Sequence, residues 1–127
     1  MVNGNNEILV VEDDEDLLSL ITKKLTVEGF KVMAAATGQQ ALDYLAKQKP
    51  ALVLLDMLLP GMNGLELLKL KNADPNIAAI PVIVISNLGS KEEVDEATKL
   101  GVKDYIVKAN FSPKDIVEKA GSILGGK

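Results

Sequence analysis

Hydrophobic positions along the chain fall into two alternating patterns. Short apolar runs occur at Ile8-Leu9-Val10-Val11, Ala51-Leu52-Val53-Leu54-Leu55 and Ile80–Ile85. Such unbroken runs, bounded by turn residues, read as strands buried on both faces. Mixed runs at Lys31–Ala35 and Asp104–Val107 read as shorter outer strands. The pattern predicts strands over Glu7–Val11, Lys31–Ala35, Ala51–Leu55, Val82–Ile85 and Asp104–Val107. Between them the apolar spacing becomes helical. Leu17, Ile21 and Leu25 share one face, as do Ile116, Ala120 and Ile123. Helices are predicted over about Glu15–Glu28, Gly38–Lys47, Gly64–Asn72, Lys91–Leu100 and Pro113–Leu124.

Local signals mark the ends of these helices. Thr37-x-x-Gln40, Asn63-x-x-Glu66 and Ser90-x-x-Glu93 each pair an N-cap with a side chain able to reach back to it. Ser112-Pro113 sets a cap before a proline at the first helical position. Gly29 and Gly101 stand where left-handed helix ends are expected. Strand and helix alternate five times, which predicts an α/β fold: a doubly wound, five-stranded parallel sheet with helices on both faces. No linker or repeat divides the chain, so residues 1–127 are expected to form one domain, with Met1–Asn6 and Gly125–Lys127 as loose ends.

Composition narrows the chemistry. The 127 residues are 47% hydrophobic and 25% charged, in the range of a folded globular domain. Cysteine is absent, which excludes disulfides and thiolate metal sites. Histidine is absent too, which excludes Ser-His and Cys-His catalysis, imidazole ligation and a phosphohistidine. A net charge of −4 offers no footprint for direct nucleic-acid binding. No apolar stretch is long enough to span a membrane and no signal peptide precedes the first strand, so a cytoplasmic location is expected.

Ligands of open α/β sheets bind outside the carboxyl ends of the strands. At those ends stand Glu12, Asp13 and Asp14 after the first strand, Ala36 and Thr37 after the second, and Asp56 after the third. Ser86 and Asn87 follow the fourth, and Lys108 the fifth. A carboxylate on an apolar strand needs a partner, and Asp56 with Glu12 and Asp13 would gather three mutually repelling acids. A divalent cation removes the repulsion, and oxygen ligands of this kind suit magnesium. Taken singly, each residue has a plainer reading. Asp56 would cap the Pro60-Gly61 turn, and Glu12 and Asp13 would favour a helix dipole, as Asp14, Glu15 and Asp16 are expected to do. Ser86 would be a strand-end hydroxyl, Lys108 a solvated lysine and Tyr105 a packing aromatic. The Leu65, Leu68 and Leu70 group is read as packing. Together, acids, a hydroxyl and an amine on one sheet edge describe a site for a phosphoryl group and magnesium.

Four segments match a family in order and spacing: Ile8-Leu9-Val10-Val11-Glu12-Asp13-Asp14, Asp56-Met57-Leu58-Leu59-Pro60-Gly61-Met62-Asn63-Gly64, Pro81-Val82-Ile83-Val84-Ile85-Ser86 and Asp104-Tyr105-Ile106-Val107-Lys108. Through them the chain resembles the receiver domain of bacterial response regulators over nearly its whole length, in the manner of a chemotaxis-regulator-like single domain. The resemblance implies a flavodoxin-like fold with strand order 2-1-3-4-5. It implies that Asp56 accepts a phosphoryl group, that Glu12, Asp13, Asp56 and the Leu58 carbonyl hold magnesium, and that Lys108, Ser86 and the Asn87 N–H contact phosphoryl oxygens. It further implies that Ser86 and Tyr105 form a switch acting on the surface of the fourth helix, fifth strand and fifth helix. Such a protein catalyses only its own phosphorylation and dephosphorylation. The implied donor is a histidine kinase or histidine phosphotransfer protein, and the implied receiver of the signal is an output partner or a deleted output domain.

The chain departs from the family pattern at three places. Ala109 follows Lys108 where a proline in a cis peptide is common, and a cis bond before a non-proline costs about 2.5–4 kcal/mol. Asn87 replaces a very small residue. Leu58 and Leu88 flank the acceptor without a group to orient water, which implies slow self-dephosphorylation. Other classes compete. A phosphatase with an aspartyl-phosphate intermediate needs an acid where Leu58 stands. A flavin carrier needs a phosphate loop where Glu12, Asp13 and Asp14 stand. A phosphorylation-independent docking module on the same fold is the remaining alternative.

Overall fold

The structure, a computed structural model, describes residues 6–86, 91–108 and 112–124. Strands β1 (Glu7–Val11), β2 (Lys31–Ala35), β3 (Leu52–Asp56), β4 (Val82–Ser86) and β5 (Asp104–Val107) alternate with helices α1 (Glu15–Val27), α2 (Gly38–Lys47), α3 (Gly64–Ala73), α4 (Lys91–Lys99) and α5 (Pro113–Leu124). All strand pairs are parallel, in the order β2-β1-β3-β4-β5. The flavodoxin-like doubly wound fold is therefore present.

The central strands β3 and β4 are buried along their whole length, as their unbroken apolar runs require. Two cores flank the sheet. On one face Leu9, Val11, Val53, Leu55 and Val84 pack with Ala41 and Leu45 of α2, Leu67 and Leu68 of α3 and Ala97 of α4. On the other, Ile8, Val10, Leu54 and Ile85 pack with Ile21 and Leu25 of α1 and Ile116 and Ala120 of α5. The two-residue alternation along each strand thus feeds both cores. Of the leucine group on α3, Leu68 is buried, Leu65 half-buried and Leu70 exposed.

Several boundaries differ from expectation, for local reasons. β3 begins at Leu52, not Ala51, and includes Asp56, which lies opposite Ile85 in register. β4 likewise includes Ser86, paired with Val107. Ladder hydrogen bonding carries both polar residues inside the sheet. Asn6 is not loose: its amide donates to Gly29 O at 2.7 Å and its carbonyl accepts from Lys31 N at 3.1 Å. The reciprocal cap forms at Asn63 and Glu66. At Thr37 the hydroxyl accepts from Gln40 N, but Gln40 Oε1 accepts from Ala36 N, one residue upstream. Asp14 is more than a dipole charge, since it N-caps α1 by accepting from Asp16 N and Leu17 N. Ser112 Oγ accepts from Asp115 N at the start of α5. The cap expected at Ser90, and the end Gly125–Lys127, lie outside the described residues.

One close approach fixes the segment after β3. A Cβ added at Gly64 would lie 2.7 Å from Met57 Cα and 2.6 Å from Met57 Sδ. The first residue of α3 therefore rests directly on the residue that follows Asp56, and Gly64 N donates to Met57 O at 2.9 Å.

Candidate phosphoryl and metal site

The carboxyl edge of the sheet brings four of the expected side chains together. β1 delivers Glu12, whose N–H donates to Ala35 O of β2 at 2.9 Å. β3 delivers Asp56 and β5 delivers Lys108. The Lys108 ammonium lies 3.0 Å from Asp56 Oδ2 and 3.3 Å from Glu12 Oε1. Carboxylate oxygens of Glu12, Asp13 and Asp56 all lie within 4.8 Å of one another. Glu12 is 1% and Asp56 2% exposed, while Asp13 stands at the solvent mouth.

Backbone donors orient the two buried acids. Leu58 N donates to Asp56 Oδ1 at 3.0 Å, leaving Oδ2 to Lys108. Asp14 N donates to Glu12 Oε2 at 3.0 Å. The same Asp14 caps α1 with its side chain, so the turn that starts the helix also aims the acid. Glu12 Oε1 is buried and accepts no hydrogen bond among the described residues; only the ion pair with Lys108 serves it.

Electrostatics follow from this crowding. Burial, then the Asp56 carboxylate close beside it, pushes the Glu12 carboxyl up to about 7. Burial works to lower the Lys108 pKa, but Asp56 and then Glu12 outweigh it and hold the ammonium above its usual value. One cation thus faces a cluster of three acids. A buried, underserved oxygen at Glu12, a second buried acid and an exposed third form an all-oxygen donor set. That set fits magnesium, which takes few carboxylates and retains water.

Ser86 is fully buried at the end of β4, on the same edge. Leu58, whose carbonyl was expected among the ligands, turns its side chain outward at 51% exposure. Tyr105 lies half-buried on β5 beside Val84, and its hydroxyl donates to the Glu93 carboxylate of α4. Asn87, Leu88 and the Lys108–Ala109 peptide lie outside the described residues. Sequence reasoning missed the orienting N–H groups of Asp14 and Leu58, which any residue supplies. It also missed Glu93 as the partner of Tyr105; no sequence signal links a helix acid to a strand tyrosine.

The family model described as the response regulator receiver domain matches residues 8–120. Sporulation initiation phosphotransferase F of Bacillus subtilis is 39% identical over 115 residues, covering 90% of this chain and 87% of its own. The DNA-binding response regulator MtrA of Mycobacterium tuberculosis is 37% identical over 117 residues, covering 92% of this chain but 50% of MtrA. The chain therefore spans about half the length of MtrA. A CheY-like response regulator receiver domain protein from Methanospirillum hungatei superposes with a TM-score of 0.87 at 31% identity, over 97% of this chain and 96% of that one.

Proposed function

The chain belongs to the response regulator receiver domain family, and from that premise we propose that it is a phospho-accepting signalling switch with Asp56 as acceptor. The observation that carries the proposal is Lys108 bridging two buried carboxylates at the sheet edge. Such an ammonium is placed to offset charge on an incoming phosphoryl group, as the transfer requires.

In the proposed reaction an Asp56 carboxylate oxygen attacks phosphorus in line. The bond from phosphorus to the donor's imidazole nitrogen breaks as the acyl phosphate bond forms, and the imidazole leaves with the electron pair. Leu58 N–H holds Oδ1 and so fixes the carboxylate plane during the attack. Lys108 stays beside Oδ2 and pairs with a phosphoryl oxygen, while Ser86 Oγ and the Asn87 N–H take the others. Glu12, Asp13, Asp56 and the Leu58 carbonyl would hold magnesium, which supplies the remaining charge neutralisation. The 127 residues hold no histidine, so the donor imidazole is that of a histidine kinase or histidine phosphotransfer protein.

Phosphorylation then biases a two-state equilibrium. Ser86 moves toward the phosphoryl group, and Tyr105 gives up Glu93 and turns inward. The surface of α4, β5 and α5 changes for a binding partner. The relative named a phosphotransferase supports a further role as a relay that passes the phosphoryl group on.

Incubation with acetyl phosphate and magnesium, followed by intact mass, tests the assignment. A phosphoryl adduct on wild type and none on Asp56→Asn is expected. No adduct on wild type would instead support the phosphorylation-independent docking module.

A further inference from the structure

A cavity of about 310 Å³ opens at the sheet edge opposite the acidic site, between the C-terminal ends of α3 and α4. Lys71, Asn72, Lys99 and Lys103 line it with apolar walls that include Ile80 and Val102. No acidic residue lines it among the described residues. In a chain of net charge −4, this cavity carries three lysines and, among the described residues, no carboxylate, and so is locally positive.

Lys71 is the informative residue. It is 4% exposed, yet it forms no ion pair among the described residues. Its ammonium donates to Ala78 O at 2.8 Å and to Asn72 Oδ1 at the long distance of 3.5 Å. Both acceptors are neutral. A buried charge without a countercharge is costly, and an ammonium has three donors to satisfy. Burial accordingly lowers the Lys71 pKa from its usual value.

A plainer reading is that lysines in the last turns of α3 and α4 answer the helix dipoles. It accounts for Lys99. It accounts less well for Lys71, whose good hydrogen bond goes to Ala78, beyond the end of α3. Asn72 Nδ2, which donates to Leu100 O at 2.8 Å, already serves the end of α4. The helix ends offset part of the Lys71 charge but provide no formal anion.

We propose that this cavity binds a small organic oxyanion, a carboxylate or phosphate on a compact apolar body, with the Lys71 ammonium as its anchor and Lys99 and Lys103 at the mouth. Its volume of about 310 Å³ lies at the small end of ligand pockets, which limits the ligand to roughly a dozen non-hydrogen atoms. The site is separate from the acidic edge and does not depend on phosphorylation.

The test uses the full chain without magnesium, labelled for NMR. Inorganic phosphate and butyrate are titrated in separate arms, with chloride at matched ionic strength as control. Saturable shifts are expected at Asn72 and at residues 99–103, together with a rise in the Lys71 Nζ titration midpoint. Saturation by phosphate alone identifies a phosphate-bearing ligand, and saturation by butyrate alone a carboxylate. Lys71→Met is expected to weaken binding roughly tenfold or more, the value of one charge-assisted hydrogen bond. Asp56→Asn is expected to retain it. The proposal fails if neither probe saturates beyond chloride, or if Lys71→Met binds as wild type does. Should that variant not fold, the wild-type Lys71 Nζ response still decides.

Discussion

Lys108 and Asp56 meet as a buried ion pair, Nζ to Oδ2 at 3.0 Å, with Glu12 as a second acid on the same ammonium. The two partners are not equivalent. Removing Lys108 leaves two desolvated carboxylates facing each other, whereas removing the Asp56 charge relieves a repulsion. Lys108→Met is therefore expected to cost about 2–3 kcal/mol, somewhat under the usual loss on breaking a buried pair because Glu12 can take up a proton. Asp56→Asn keeps an acceptor for Leu58 N–H and is expected to change stability by less than about 1 kcal/mol. Urea unfolding of both variants without magnesium checks the asymmetry; equal losses would contradict it.

The raised pKa of Glu12 fixes a pH dependence. In the folded chain the carboxyl titrates near 7, against a reference value of 4.5. Between those values the folded state holds more protons than the unfolded state, so stability falls as pH rises through the window. Above it both states are ionised at this position and the loss is complete. Without magnesium the chain is expected to be more stable at pH 5 than at pH 8, with about 2 kcal/mol arising from Glu12. Glu12→Gln should flatten the profile, as followed by thermal unfolding across pH.

Leu58 presents an apolar side chain, 51% exposed, directly after the acceptor loop begins. It offers nothing to hold a water molecule for attack on a phosphoaspartate. Leu58→Asn is expected to shorten the phosphoryl lifetime roughly fivefold, the worth of one added hydrogen bond of about 1 kcal/mol. Decay of the adduct by intact mass is the measurement. Wild type decaying as fast as the variant would remove the idea of slow self-dephosphorylation.

The Tyr105 hydroxyl is held by Glu93, a half-buried acid on α4. If the inward turn of Tyr105 accompanies phosphorylation, this bond opposes it. Glu93→Ala is then expected to tighten beryllofluoride binding in magnesium by roughly fivefold. Tyr105→Phe should produce a similar gain, and the double variant no further gain. Additive effects would mean that Glu93 acts elsewhere.

The sheet, its helices and the ordering of the chemistry were legible in the chain, because two-residue and helical spacings leave different marks. The acid cluster was legible too, since strand ends converge on one edge in this architecture. What stayed hidden depends on pairing. Asp56 and Ser86 looked like residues beyond their strands, because polarity ends an apolar run, while ladder register keeps both inside. Asn6 looked like a loose end, but its two hydrogen bonds are made to residues more than twenty positions away. The Lys71 cavity left no trace, because its other wall, residues 99–103 at the end of α4, is distant in sequence from the end of α3 that carries Lys71.

Gly64 has a consequence for how this sequence can change. A Cβ there would meet the Met57 sulfur, which can move, but also the Met57 Cα, which is set by the loop that carries the acceptor. Hydrophobic neighbours of a site normally drift together, one shrinking as another grows. Met57 Cα cannot shrink. The position is closed to gradual replacement, and a lineage that lost this glycine would have to rebuild the loop before it recovered the site.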